Sequence, residues 1–207
     1  MKLTLVTLTA VLLLPHAAHA EPAPPSSEGQ TRALVSAFLA VTTPAEGKTL
    51  DAAARKANAA AFAHLDDFFA WDVLAPAPFA KHRDALSEAQ LTRLRSAFRD
   101  TVRWVAYPDS GDFFRKARWR VDKVAGNDVT LYASLPEEDV ETRVTFHWRP
   151  VGDALRIVDV SFDGASLVLD YANQFGRIIA KHGADDLVRR LEERRDQERT
   201  ARAGLLP

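Results

Sequence analysis

Six histidines are the side chains best able to exchange a proton near neutral pH. His147 is the strongest candidate for an acid or base, because an apolar strand pattern surrounds it and burial would shift its pKa. Strand alternation nevertheless places it on the face of Arg143 and Arg149, opposite Trp148. We therefore expect His147 on the outer face of a sheet unless a β-bulge reverses the pattern.

The other histidines lack the partners that a catalytic or metal site requires. His64 precedes Asp66 and Asp67, but this spacing distributes the three side chains around a helix. His82 lies in a proline-broken segment, and His182 ends a helix, where a partly charged imidazole is favoured. The sequence contains no cysteine, no H-E-x-x-H, no G-x-S-x-G and no Gly-rich phosphate loop. We predict no catalytic residue, no metal site and no cofactor.

Four predicted strands carry an apolar face that lacks acids, bases and nucleophiles. They cover about residues 117–124, 129–135, 141–151 and 154–162, with turns at Gly126-Asn127 and Gly152-Asp153. Alternation places these side chains on one face: Trp119, Val121, Val129, Leu131, Ala133, Val144, Phe146, Trp148, Val158, Val160 and Phe162. The opposite face is mixed, with Ile157 and Asp159 among arginines.

Helices are predicted on both sides of these strands, over about residues 31–40, 50–69, 87–106, 166–181 and 185–202. Ser87-Glu88-Ala89-Gln90 is a capping box that begins the third helix. Tyr107-Pro108-Asp109-Ser110-Gly111 is predicted to end it. Helices, then consecutive antiparallel strands, then helices indicate an α+β fold. Its predicted form is a curved antiparallel sheet of about four strands, packed with N- and C-terminal helices.

The first 20 residues have the pattern of a secretory signal peptide. Lys2 precedes the apolar run Leu3 to Leu14, and Ala18-His19-Ala20 is a cleavage site after Ala20. Residues 21–30 are predicted to be a disordered linker, 31–191 a single domain, and 192–207 a charged helical or disordered tail. The net charge of −1 gives no reason to expect a nucleic-acid partner.

The many aromatic side chains have two interpretations: an ordinary core, or an apolar ligand cavity between sheet and helices. The helix over 166–181 would close such a cavity. The predicted lining is Val102, Trp119, Val121, Leu131, Val144, Phe146, Trp148, Val158, Val160, Phe162, Leu167, Tyr171 and Phe175.

The stretch from Val158 to Leu191 resembles the MlaC-like periplasmic phospholipid-binding proteins, also called the toluene-tolerance family. The matching positions are Asp159-Val160, Gly164, Ser166-Leu167-Val168, Tyr171, Phe175, Gly183 and Leu187. A second, looser match comprises His82, Leu86, Ser87 and Gln90. Ala172 stands where the family usually has Arg, and Arg83 where it usually has Trp.

The resemblance implies a soluble periplasmic carrier with a cystatin-like or nuclear transport factor 2-like cone around an apolar cavity. Such a carrier shuttles a phospholipid between an outer-membrane lipoprotein complex and an inner-membrane ABC transporter complex. A hopanoid or other polycyclic lipid is an alternative ligand. Two further hypotheses remain: a small-molecule enzyme, which requires an inward His147 or Asp159, and an interaction protein that docks through the charged helix 192–202.

Overall fold

The computed structural model describes residues 26–207, so the predicted signal peptide and residues 21–25 lie outside the described residues. Helix α1 (Ser27–Leu39) begins earlier than expected, because the Ser26 hydroxyl accepts a hydrogen bond from the Gly29 N–H at 3.1 Å. Residues 27–30, predicted to belong to the linker, are therefore helical.

The helices lie before and after the strands in the chain, and the predicted α+β class is confirmed. Before the strands come α2 (Ala52–Asp66), α3 (Trp71–Leu74), a 3₁₀ segment (Ala77–Ala85) and α4 (Glu88–Lys116). After them come α5 (Leu167–His182), α6 (Ala184–Ala201) and a final 3₁₀ turn (Ala203–Leu205). None of the helices within residues 26–207 is both long enough and apolar enough to span a bilayer.

Helix α4 begins at the predicted capping box but continues through Pro108, where it was predicted to end. A proline removes one helical hydrogen bond, and tertiary contacts on both sides offset that loss. The buried Tyr107 donates its hydroxyl to Asp66 at 2.7 Å. Gly111 packs so closely that an added Cβ would lie 2.6 Å from the Phe38 carbonyl oxygen.

The strands form one antiparallel sheet in sequence order. They are β1 (Arg118–Ala125), β2 (Asp128–Leu135), β3 (Val140–Val151), β4 (Ala154–Phe162) and the two-residue β5 (Ala165–Ser166). The predicted set of four strands is present, and β5 adds a short edge that leads into α5. Consecutive strands joined by tight turns need only local connections.

A β-bulge in β4 changes which side chains face the core. His147 pairs with Asp159 and Trp148 pairs with Ile157, so Val158 is the extra residue. Ile157 consequently joins Trp148 on the apolar face, where both are fully buried. The alternation that predicted Val158 inside and Ile157 outside is wrong beyond the bulge.

The charged C-terminal tail belongs to the folded domain. Helix α6 packs along α4, and Arg93 pairs with Glu192 at 2.5 Å. Glu198 and Leu205 are buried, and the Leu205 carbonyl accepts a hydrogen bond from Asn58 at 3.0 Å. Residues 192–207, predicted to be a charged helical or disordered tail, therefore contact the rest of the domain.

Candidate functional site

A cavity of about 730 Å³ lies between one end of the apolar sheet face and helices α4, α5 and α6. This volume is within the range of about 300–1,000 Å³ typical of small-molecule sites. The sheet contributes Thr142, Val144, Phe146, Val160 and Phe162. Helices α5 and α6 contribute Leu167, Tyr171, Gln174, Phe175, Ile178, Leu187, Arg190, Leu191 and Arg194. Helix α4 contributes Phe98, Thr101, Val102, Val105, Ala106, Asp109, Ser110, Phe113 and Phe114, and Phe38, Phe69 and Leu74 complete the lining.

Eight of the predicted cavity residues belong to this lining. They are Val102, Val144, Phe146, Val160, Phe162, Leu167, Tyr171 and Phe175. They come from α4, β3, β4 and α5, which are distant in sequence but converge on one space. The sides of α4, β3, β4 and α5 that carry these eight residues therefore face the cavity.

Five other predicted residues lie outside the lining: Trp119, Val121, Leu131, Trp148 and Val158. Leu131 and Trp148 are fully buried in the core, where Trp148 donates its indole N–H to Thr31 at 2.9 Å. Trp119 packs edge-on against Phe114, at 6.1 Å between ring centroids. Helix α1 packs on β2 and Trp148 over this part of the sheet.

Sequence reasoning missed the contribution of the second half of α4. Phe113 and Phe114 line the cavity from positions beyond Pro108, where the helix was predicted to have ended. The available signal was the spacing of Phe98, Val102 and Val105, because a continuous helix carries this side on to Phe113.

Packed aromatic rings support the wall behind the cavity. Phe79 stacks on Phe175 with 5.2 Å between ring centroids and an interplanar angle of 4°. Phe98 meets Tyr171 edge-on at 5.0 Å. His82 hydrogen-bonds the Ala172 carbonyl at 3.0 Å through Nε2, which holds the 3₁₀ segment against α5.

One carboxylate positions the start of α5 over the cavity. Asp159 Oδ1 accepts hydrogen bonds from the backbone N–H groups of Val160 at 2.8 Å and Val168 at 3.1 Å, while Oδ2 accepts from the Ser166 hydroxyl at 2.5 Å. Ser166 in turn caps the helix by accepting from the Leu169 N–H at 3.1 Å. The D-V and G-x-S-L-V motifs thus fasten α5 to the end of β4.

The histidine singled out by the sequence lies on the outer face of the sheet, as expected. His147 Nε2 is 2.8 Å from the Ser161 hydroxyl, and its Nδ1 is 3.1 Å from Asp128. Within residues 26–207 no group of three or more His, Cys, Asp and Glu side chains is arranged to hold a metal ion.

The ionisable side chains that do line the cavity are Asp109, Tyr171, Arg190 and Arg194. Burial raises the pKa of Tyr171, so its hydroxyl stays protonated at neutral pH. Asp109 lies 3.2 Å from Arg202. This arrangement is suited to holding an apolar molecule with a polar end at the charged rim.

Comparison with known proteins relates this geometry to one family. A family profile described as "MlaC protein" matches residues 35–193. No curated protein sequence matches the chain. Among solved structures, the chain resembles the phospholipid-binding protein from Ralstonia solanacearum, solved in complex with a phospholipid. The TM-score is 0.60 at 17% sequence identity, and the match covers 84% of this chain and 98% of that one.

Proposed function

The chain belongs to the MlaC family, and from this premise we propose that it is a periplasmic carrier that holds the acyl tails of a phospholipid in its cavity. The observation that carries the proposal is the cavity of about 730 Å³, whose wall is apolar and whose charged side chains are few. That the related Ralstonia solanacearum protein was solved with a phospholipid supports the same ligand class.

The energy of burial is sufficient for such a carrier. Each methylene removed from water contributes about 0.8 kcal/mol, so one long acyl tail contributes on the order of 10 kcal/mol. Phe146, Val160 and Phe175 offer the tails a wall without hydrogen-bonding groups. A phospholipid could therefore leave a membrane without exposing its tails to water.

The family relationship supports a shuttle role. In this proposal the chain is exported, with its first 20 residues as the signal peptide. It receives the lipid from one membrane complex and delivers it to another, between an outer-membrane lipoprotein complex and an inner-membrane ABC transporter. The result is transport of lipid across the periplasm and control of outer-membrane lipid asymmetry.

The positions of two polar residues favour a carrier over an enzyme. His147 lies on the outer face with Asp128 and Ser161, and Asp159 is occupied by the start of α5. Neither belongs to the cavity lining. An enzyme on this sheet would need such a group directed at its substrate.

Native mass spectrometry of protein purified from an exporting host tests the proposal directly. We expect an added mass that solvent extraction releases and identifies as a phospholipid. A lipid-free mass, with no extractable lipid, would contradict the proposed function. Recovery of a hopanoid instead would retain the carrier and change its ligand.

A further inference from the structure

Two arginines on α6 interrupt the otherwise apolar wall. Arg190 and Arg194 are one helical turn apart and both line the cavity. Their side chains are 47% and 59% exposed, so each extends from the wall toward solvent. We propose that this pair binds the phosphate group of the lipid, an inference that rests on the proposed carrier function.

Both guanidinium groups keep donors for a ligand. Arg190 contacts Asp186 through Nε at 2.5 Å, and Arg194 contacts Glu198 through Nη2 at 2.5 Å. A guanidinium has five N–H donors, and its planar fork matches two oxygens of a phosphate. A phosphate can therefore be bound without breaking either ion pair.

The charge that faces the cavity is positive. Asp109 is the one carboxylate in the lining, and it lies 3.2 Å from Arg202. Arg194 and Arg202 both contact the buried Glu198, so two positive groups share one carboxylate at the end of α6. An anionic group at this rim meets two arginines and a carboxylate that already has a partner.

Tyr171 adds a neutral donor on the neighbouring helix α5. It lines the same cavity as Arg194, and burial raises the pKa of its hydroxyl, which is protonated at neutral pH. The tails would lie deeper, against Phe146 and Val160. The site thus selects a phosphate-bearing lipid over a neutral lipid with the same tails.

The test compares two probes that share their tails: pyrene-tailed phosphatidylglycerol and the matching pyrene-tailed diacylglycerol, titrated into delipidated full-length protein. The variant is Arg190→Gln/Arg194→Gln. The matched control is Arg189→Gln/Arg199→Gln, which removes the same charge from exposed positions of α6 outside the lining.

We expect the variant to lose about tenfold in affinity for phosphatidylglycerol and none for diacylglycerol. We expect the control to stay within about twofold for both probes.

Several results would overturn the phosphate site. One is that the wild-type protein binds both probes with equal affinity. The others are that variant and control lose equal affinity for phosphatidylglycerol, or that the variant loses affinity for both probes. Wild-type protein that binds neither probe would instead contradict the carrier function itself. A free-anion site is distinguished by inorganic phosphate alone: stabilisation of wild-type protein against heat, abolished in the variant, would assign the arginines to a free ion.

A further measurement on the wild-type protein needs no folded variant. Raising the ionic strength should weaken phosphatidylglycerol binding and leave diacylglycerol binding unchanged, because the arginines are exposed to screening. If salt has no effect on either probe, the arginines do not bind the phosphate.

Discussion

The apolar face of the sheet has two halves that differ in what covers them. The solid half, Val129, Leu131, Trp148 and Ile157, is 0% exposed and lies in continuous core. The hollow half, Val144, Phe146, Val160 and Phe162, faces the cavity. Phe162, at its rim, is 49% exposed. The residue types of the two halves are alike, so composition does not decide which half is filled.

The covering elements make the difference. Over the solid half, Trp148 donates to Thr31 of α1 and packs edge-on against Phe68 at 6.3 Å. Over the hollow half, α4 packs mainly on α6, and α5 packs mainly on the 3₁₀ segment and α6. The cavity therefore exists because α4, α5 and α6 do not fill the space above this half of the sheet.

The largest effect is expected for Trp148→Ala in the solid half. It should lower the free energy of unfolding by about 3–5 kcal/mol, because it leaves a cavity and removes the partner of Thr31. Phe162→Ala in the hollow half should cost less than about 1 kcal/mol, since that ring is half exposed. Urea unfolding of lipid-free protein measures both, and similar losses would remove the distinction between the halves.

A matched pair of enlargements should separate the halves, because one should weaken stability and the other lipid binding. Val129→Phe overpacks the solid half and should cost about 1–3 kcal/mol of stability. Val144→Phe should leave stability nearly unchanged but occupy the space of about two methylenes, which weakens lipid binding by about 1.6 kcal/mol, or roughly 15-fold. Pyrene-lipid titration measures the binding loss. Unchanged lipid affinity in Val144→Phe would contradict the cavity as the tail site.

Gly111 and Gly176 test how closely helices α4 and α5 pack against their neighbours. Gly111→Ala on α4 should cost about 1–3 kcal/mol, because the new Cβ would meet the Phe38 carbonyl oxygen at 2.6 Å. Gly176→Ala on α5 would meet the His82 ring at 2.5 Å, and a gain in helix propensity of about 1 kcal/mol offsets that contact.

The second glycine has a control within the chain. In a His82→Ala background, Gly176→Ala should stabilise the protein by about 1 kcal/mol, since only the propensity gain remains. Thermal unfolding of the four proteins of this double-mutant cycle measures the coupling. A coupling of zero would show that His82 does not restrict position 176.

The smallest effect is expected on the polar outer face, which serves as a reference for both halves. Burial raises the pKa of Asp128, but hydrogen bonds from Arg149 and His147 outweigh it, so the folded pKa lies below its ordinary value. The ionised form therefore adds stability above the unfolded pKa, and this is lost as pH falls through the folded value. Asp128→Asn should cost about 0.2–1 kcal/mol at pH 7. In urea titrations below pH 3.8 the cost should shrink toward zero, and a constant cost would show that ionisation is not involved.

Much of the fold follows from local rules that need only neighbouring residues. The Ser87 capping box begins α4, with the Gln90 N–H 3.3 Å from the Ser87 hydroxyl. Alternation correctly places Val144 and Phe146 inward and His147 outward. These features depend on one strand or one helical turn, so the sequence around them contains the required information.

The remaining features depend on distant contacts. The bulge at Val158 has no distinctive residue, and it moves Ile157 to the other face. A proline in a helix interior ends or kinks most helices, but here the contacts of Tyr107 and Gly111 keep α4 continuous through Pro108. Trp148 resembles a cavity residue until α1 is seen to cover it. Period and composition cannot report which element lies above a face.

The attachment of α6 to α4 affects the order in which the protein folds. Gln90 contacts Asp185 at 2.6 Å, and Arg93 contacts Glu192, across 95 and 99 residues of sequence. Contacts this remote form after the local strand hairpins, because closing the longer loop costs more entropy. Until α6 packs on α4, the cavity lacks the wall that Leu187, Arg190, Leu191 and Arg194 contribute. The binding site is therefore completed by the last helix of the chain.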